Sequence, residues 1–124
     1  VFQIERILHV SLLVADTERA LAFYCGVLGL EVDPTRPDLG FPGAWLKVGE
    51  ASIHLLELPN PDPVVGRPEH GGRDRHLALA VEDFEGLVRA LDAAGVSYTR
   101  SRSGRPAIFC RDPDGNALEF IGSR

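Results

Sequence analysis

The chain is written twice, and that repeat constrains its fold more than any other feature. The segment Ile7–Val14 (ILHVSLLV), followed by Asp16, is matched by Arg75–Val81 (RHLALAV), followed by Asp83. Asp16 and Asp83 stand at the same separation as His9 and His76, so the match holds in register. After each Asp the apolar residues take helical spacing. Ala20, Phe23, Tyr24, Val27 and Leu28 do so in the first half, and Phe84, Leu87, Val88 and Leu91 in the second. Asp16 and Asp83 sit where a helix N-cap accepts free backbone N–H groups, and Gly29 and Gly95 where a left-handed residue ends a helix.

Each half continues into short β-prone segments: Leu30–Val32, Ala44–Val48 and Ser52–Leu58, then Ser97–Arg100, Ala107–Arg111 and Ala117–Ile121. Asp112-Pro113-Asp114-Gly115 reads as a tight turn between the last two. The order is strand, helix, strand, strand, strand, twice over. It predicts an α+β domain spanning 1–124, with a first βαβββ module over 5–58 and a second over 74–122. The Pro- and Gly-rich stretch 59–73 is a connecting loop, and Asp33–Pro42 forms another loop inside the first half.

Composition narrows the function. Thirteen Lys and Arg against 18 Asp and Glu leave a net charge of −5, which argues against sequence-independent binding of nucleic acid or of an anionic membrane. A small-molecule partner is the expectation. No apolar run approaches a membrane span. The sequence opens without Met and shows no basic-then-apolar leader, from which a cytoplasmic location is expected. Cys25 and Cys110 lie in apolar segments and read as buried free thiols.

Strand alternation assigns the faces. Leu8, Val10, Leu12 and Val14 should meet a helix, leaving His9, Ser11 and Leu13 opposite. Leu77, Leu79 and Val81 should do likewise, leaving His76, Ala78 and Ala80. His54 and Glu119 each stand second in an apolar run, IHLL and LEFI, at equivalent places in the two halves. Four repeat-related positions thus carry His9, His54, His76 and Glu119, taking three of the four histidines of the chain. Imidazole plus carboxylate is a ligand set for a borderline divalent metal. Small Ser11, Ala78 and Ala80 would leave room for a ligand above it. An interior carboxylate needs a cation, and absent a metal Arg111 or Arg102 is the expected partner of Glu119. His70 has no repeat partner and is expected in solvent. Leu13, Leu56 and Ile121 are candidates for cleft lining, as is Trp45, for which plain core packing is the first expectation.

The segments HVSLLVAD, AFYCGVLGLEV, RHLALAVED and FCRDPDGNALEF span nearly the whole chain and resemble the vicinal oxygen chelate superfamily. That superfamily includes glyoxalase I, bleomycin-binding resistance proteins, fosfomycin-modifying enzymes and extradiol dioxygenases. The resemblance implies two βαβββ modules forming curved mixed sheets around a cleft. It also implies one divalent metal (Fe, Mn, Ni, Zn or Co) held by His9, His54, His76 and Glu119, and a homodimer whose sites are closed within or between chains. Glyoxalase I enzymes usually have a carboxylate where this chain has His54, and Glu57 should face the other way, so Glu119 is the one carboxylate base.

His9, His76 and Glu119 alone resemble the iron(II) set of the dioxygenases, with His54 then a fourth ligand or an acid/base. Arg100, Arg102, Arg105 and Arg111 could form an anion pocket of the fosfomycin type. The function expected is a metal-dependent lyase, isomerase or dioxygenase acting on a small oxygen-bearing substrate by bidentate chelation. Glu119 and His54 are its catalytic candidates, and Arg102, Arg105 and Ser11 its substrate contacts. The alternative is a metal-free binding protein of the bleomycin-resistance type.

Overall fold

The computed structural model describes residues 1–123, and it builds one four-stranded mixed sheet from each half of the chain. The first half runs β1 (His9–Val14), α1 (Thr17–Leu21), β2 (Glu31–Val32), β3 (Gly43–Val48) and β4 (Ala51–Glu57). The second runs β5 (His76–Val81), α2 (Phe84–Ala93), β6 (Tyr98–Arg100), β7 (Ala107–Arg111) and β8 (Ala117–Gly122). The strand orders are β1-β4-β3-β2 and β5-β8-β7-β6. In each sheet the first strand is parallel to the last and the other pairs are antiparallel. Both sheets leave the first strand at an edge, and neither closes on itself.

The helix starts obey the capping logic. Asp16 accepts from the Arg19 N–H at 3.2 Å and Asp83 from that of Gly86 at 3.0 Å. Gly29 and Gly95 end the helical segments at φ 75° and 70°, a conformation that would strain a residue with a Cβ. After α1 the helix does not keep its regular pitch. It widens into a π-type turn over Ala22–Val27, in which the Leu28 N–H bonds Phe23 O and the adjacent rings of Phe23 and Tyr24 are both buried. Glu57 faces away from His54, as the alternation requires, and its Oε1 accepts from Thr17 N and Oγ1 at 2.8 and 3.1 Å, tying β4 to the start of α1.

One apolar cluster draws on both modules: Val14, Tyr24, Leu46, Ile53 and Leu55 from the first, and Leu91, Ile108, Leu118 and Phe120 from the second. Leu8 does not join it. β1 begins at His9, and Leu8, just outside it, is 59% exposed although its carbonyl already accepts from Ser52 N at 3.1 Å. The turn of the second module is seated on the first. Asp114 Oδ1 accepts from Ala15 N at 2.9 Å, and Asn116 Nδ2 donates to Leu13 O at 3.1 Å. Cys110 is buried and Cys25 half-buried, both free. Among the described residues no helix is long and apolar enough to cross a membrane.

Candidate metal centre

Equivalent registers place the candidate donors on the faces away from the helices. His54 lies opposite Ser11 and Trp45 in its sheet, and Glu119 lies opposite Ala78 and Phe109 in the other. His9 and His76 occupy the first residues of the two edge strands. The structure brings these four together as two pairs. Among the described residues no group of three or more His, Cys, Asp or Glu side chains is placed to hold one ion.

The second-module pair has the geometry of two neighbouring ligands. His76 Nδ1 donates to the backbone oxygen of Asp74 at 2.8 Å, which turns Nε2 toward Glu119. That nitrogen lies 3.3 Å from Glu119 Oε1. A contact of this kind needs a positive charge, either a proton on the imidazole or an ion between the two groups. Donors about 2.0–2.1 Å from a shared ion, at angles from square to tetrahedral, stand roughly 2.8–3.4 Å apart, so the spacing suits a metal. The carbonyl behind the imidazole is the support metal-bound histidines ordinarily have. Glu119 is 5% exposed, and among the described residues its one arginine contact is Arg105, whose Nη2 lies 3.5 Å from Oε2.

Neither Arg111 nor Arg102 meets Glu119. Arg111 instead bonds Asp74 Oδ2 at 2.9 Å and the oxygens of Gly115 and Pro68. With Arg67, which reaches both Asp74 oxygens at 2.7 Å, it pins the connecting loop to β7. Arg100 lies over the ring of Tyr98, and Arg102 is exposed on the turn before β7. Of the proposed anion pocket, Arg105 alone stands beside the candidate donors. His70 is not solvated as expected. Its Nδ1 bonds Thr99 Oγ1 at 2.6 Å, and its ring meets Phe109 edge to face, because the short turn Gly71–Arg73 folds the connecting loop against β7 and β8.

The first-module pair is a stack. The rings of His9 and His54 lie 3.9 Å apart and within 12° of parallel, and Trp45 covers the other face of His54 at 4.3 Å and 7°. Ser52 Oγ is 3.0 Å from His54 Nε2. Burial, and then the nearby His9, lower the pKa of His54 from its ordinary value. Trp45 therefore belongs to this face, and its half-burial comes from the stack. Plain core packing, the first expectation for Trp45, is not what the structure shows. The stacking did not show in the sequence, because ring contact across three strands depends on rotamers. Ser11 is exposed beside His54 on β1, and Leu13, Leu56 and Ile121 are half-buried on the same faces.

A family model described as the Glyoxalase/Bleomycin resistance protein/Dioxygenase superfamily matches residues 6–120. The chain belongs to this superfamily. It is 33% identical over 128 residues to a lactoylglutathione lyase of Haemophilus influenzae, the match covering 96% of this chain and 93% of that protein. A crystal structure from Bacillus anthracis, described as of the glyoxalase family, matches with a TM-score of 0.82 at 26% identity, over 100% of this chain and 99% of the other. An antibiotic binding protein from a Streptomyces species matches at a TM-score of 0.76, with 22% identity and 98% of both chains covered, a likeness of fold alone. In this superfamily member the chemistry of the donors, imidazole and carboxylate, is of the kind that suits a divalent metal, and they stand as two pairs in separate sheets.

Proposed function

We propose that the protein is a divalent-metal-dependent enzyme acting on a small substrate through two of its oxygens, its metal centre formed between two copies of the chain. His9 of one copy would meet His76 and Glu119 of the other, with His54 beside His9 as a fourth donor or an acid/base. The observation that carries this reading is the pair His76 and Glu119, with Nε2 and Oε1 held 3.3 Å apart. The separation of the two pairs within the chain favours closure by a second copy and hence a homodimer.

When bound, an ion of this class polarises a substrate oxygen as a Lewis acid. The rest falls to the chain. The Asp74 carbonyl fixes the imidazole of His76 in one tautomer. Glu119 is the one carboxylate on the open face of its sheet and is the group to take a substrate proton. Arg105, beside Glu119 Oε2, supplies positive charge for an anionic part of the substrate. Ala78 and Ala80, exposed opposite Glu119 and Ile121, leave the space in which the substrate would lie. Isomerisation of the glyoxalase I type is the first activity to assay, on the likeness to a lactoylglutathione lyase. Ring-opening oxygenation is the second, since two imidazoles and one carboxylate suit iron(II).

The test is metal content by mass spectrometry, followed by mixing. About one first-row transition ion per chain is expected. His9→Ala and Glu119→Ala each lose it, and a mixture of the two regains part of the uptake, because a mixed dimer rebuilds one whole site. Mixing without recovery would place the whole site in one chain. A protein that takes up no ion would favour a metal-free small-molecule binding protein, in which a protonated His76 and Arg105 balance Glu119.

A further inference from the structure

The repeat extends to the loops that lead into the last two strands of each sheet. Gly43 and Trp45 on β3 pair with Leu56 and His54 on β4, as Ala107 and Phe109 on β7 pair with Ile121 and Glu119 on β8. The loop before β7 carries Arg105 back to Glu119, with Nη2 3.5 Å from Oε2. The loop before β3 carries Arg36 back in the same way. Its Nη2 donates to Phe41 O at 2.7 Å, and its guanidinium carbon stands 5.3 Å from the centre of the Phe41 ring. That Nη2 also lies 3.1 Å from where a Cβ of Gly43 would be. Such a Cβ would run into the backbone oxygen of Leu55 as well, so this position takes glycine and the arginine head rests against it.

Gly43 stands two residues from Trp45, which places the Arg36 head roughly 6–7 Å along the strands from the stacked rings. His54 registers its charge. Burial and His9 lower the pKa of that ring first, Asp33 raises it, and Arg36 lowers it further.

The two arginines differ in what balances them. Arg105 has Glu119. Arg36 stands by the equivalent position, which carries His54 instead, and among the described residues it makes no ion pair. Both acids of its own loop are engaged in turns, Asp33 accepting from Thr35 N and Oγ1 and Asp38 from Gly40 N. A guanidinium presents its N–H groups along edges on which two neighbouring nitrogens point the same way. Phe41 O takes one hydrogen of Nη2, so one such edge stays whole. Arg36 is half-buried, held by a carbonyl and an aromatic ring, and without a counter-charge. That is an arrangement prepared for a planar anion.

We infer that Arg36 is a specificity-determining contact, receiving a carboxylate that the substrate carries away from its two chelating oxygens. One charge and one free edge match a carboxylate, whereas a phosphate dianion would keep a charge in excess. The inference rests on the metal-dependent reading above and adds a substrate class to it. It puts the recognised charge on the first module, across from Arg105 on the second.

The test is calorimetric titration of the Zn²⁺-loaded full-length protein with two hydroxamates, which chelate through two oxygens. Succinic acid monohydroxamate carries a free carboxylate, and its methyl ester does not. The unmodified chain is expected to bind the acid about tenfold tighter than the ester, the low end for a hydrogen bond between charged groups. Arg36→Met is expected to bind the two about equally, with the affinity for the ester unchanged, which a disrupted fold would not leave. No preference in the unmodified chain would overturn the inference and leave the metal reading standing. A preference kept in Arg36→Met and lost in Arg105→Met would assign the carboxylate to Arg105 and also overturn it.

If neither hydroxamate binds, the metal reading fails, and a measurement without metal decides the arginine contact. Succinate added to the metal-free protein should move the side-chain N–H resonance of Arg36, and inorganic phosphate should move it less. An unmoved resonance, or one moved more by phosphate, would refute the carboxylate contact.

Discussion

Tyr24 donates its hydroxyl to Asp112 Oδ2 at 2.7 Å, joining the helical turn of the first module to the strand-end turn of the second through two buried side chains. The same carboxylate accepts from Asn116 Nδ2 at 2.9 Å and from the backbone N–H groups of Asp114 and Asn116. Burial pushes Asp112 above its ordinary value and these bonds pull it back, while burial pushes Tyr24 far up, so its hydroxyl remains a donor. Removing that donor leaves a buried acceptor short of one partner. Tyr24→Phe should cost about 1.5–3 kcal/mol, the usual range for a hydrogen bond to a charged group. Asp112→Ala should cost more, because it orphans several donors at once. Urea unfolding measures both, and a Tyr24→Phe midpoint equal to that of the unmodified protein would refute the account.

Asp74 should set an acid limit. The two bonds from Arg67 come first, then the one from Arg111, and they hold its carboxyl well below its ordinary value of 3.8. With the folded value depressed, the ionised group stabilises the fold above the unfolded value, and that contribution is lost as pH falls from about 4 downward. The stability gap between the unmodified chain and Asp74→Asn should therefore be flat from neutral pH to about 5 and should close below about 4. Thermal melts across that range check it, and a gap that widens in acid would contradict the pairing.

The thiols should differ in reactivity. Cys110 is 4% exposed, and burial pushes its pKa up to about 12, whereas Cys25 is half-buried with a smaller upward push from the same cause. Since the thiolate is the reacting form, a disulfide reagent at neutral pH should modify Cys25 slowly and Cys110 only on unfolding. Mass analysis of the labelled native protein reads the order directly. Rapid labelling of Cys110 without denaturant would show that β7 opens far more readily than its packing implies.

Metal uptake should be acid-sensitive. Imidazole and carboxylate ligands bind only when deprotonated, so occupancy should fall steeply below about pH 6 and return on neutralisation. Equilibrium dialysis against Zn²⁺ at a series of pH values follows it. Full occupancy well below that pH would be incompatible with a site built on His9 and His76.

Much of this molecule is legible in the amino-acid sequence because its signals are local. Alternation placed His9, His54, His76 and Glu119 on the open faces, Asp16 and Asp83 began the helices, and Gly115 marks the turn at φ 84°. Phase also sent Glu57 to the opposite face, where it caps α1. These features depend on residues a few positions apart, and a period of two or of 3.6 residues records them.

Distance across the fold leaves no such record. The residues that share a face were set by the order of the chain, but tertiary structure decided that the four donors stand as two pairs, that Arg105 and not Arg111 reaches Glu119, and that the connecting loop carries His70 onto Phe109. Each of these depends on how two sheets and a loop pack, where a rotation of one side chain or a shift of one strand exchanges partners without altering any pattern. The stack of Trp45, His54 and His9 is the plainest case. Sequence placed His9 and His54 on the open faces of their strands and left Trp45 to the core, and only the lateral spacing of three paired strands pressed the three rings together.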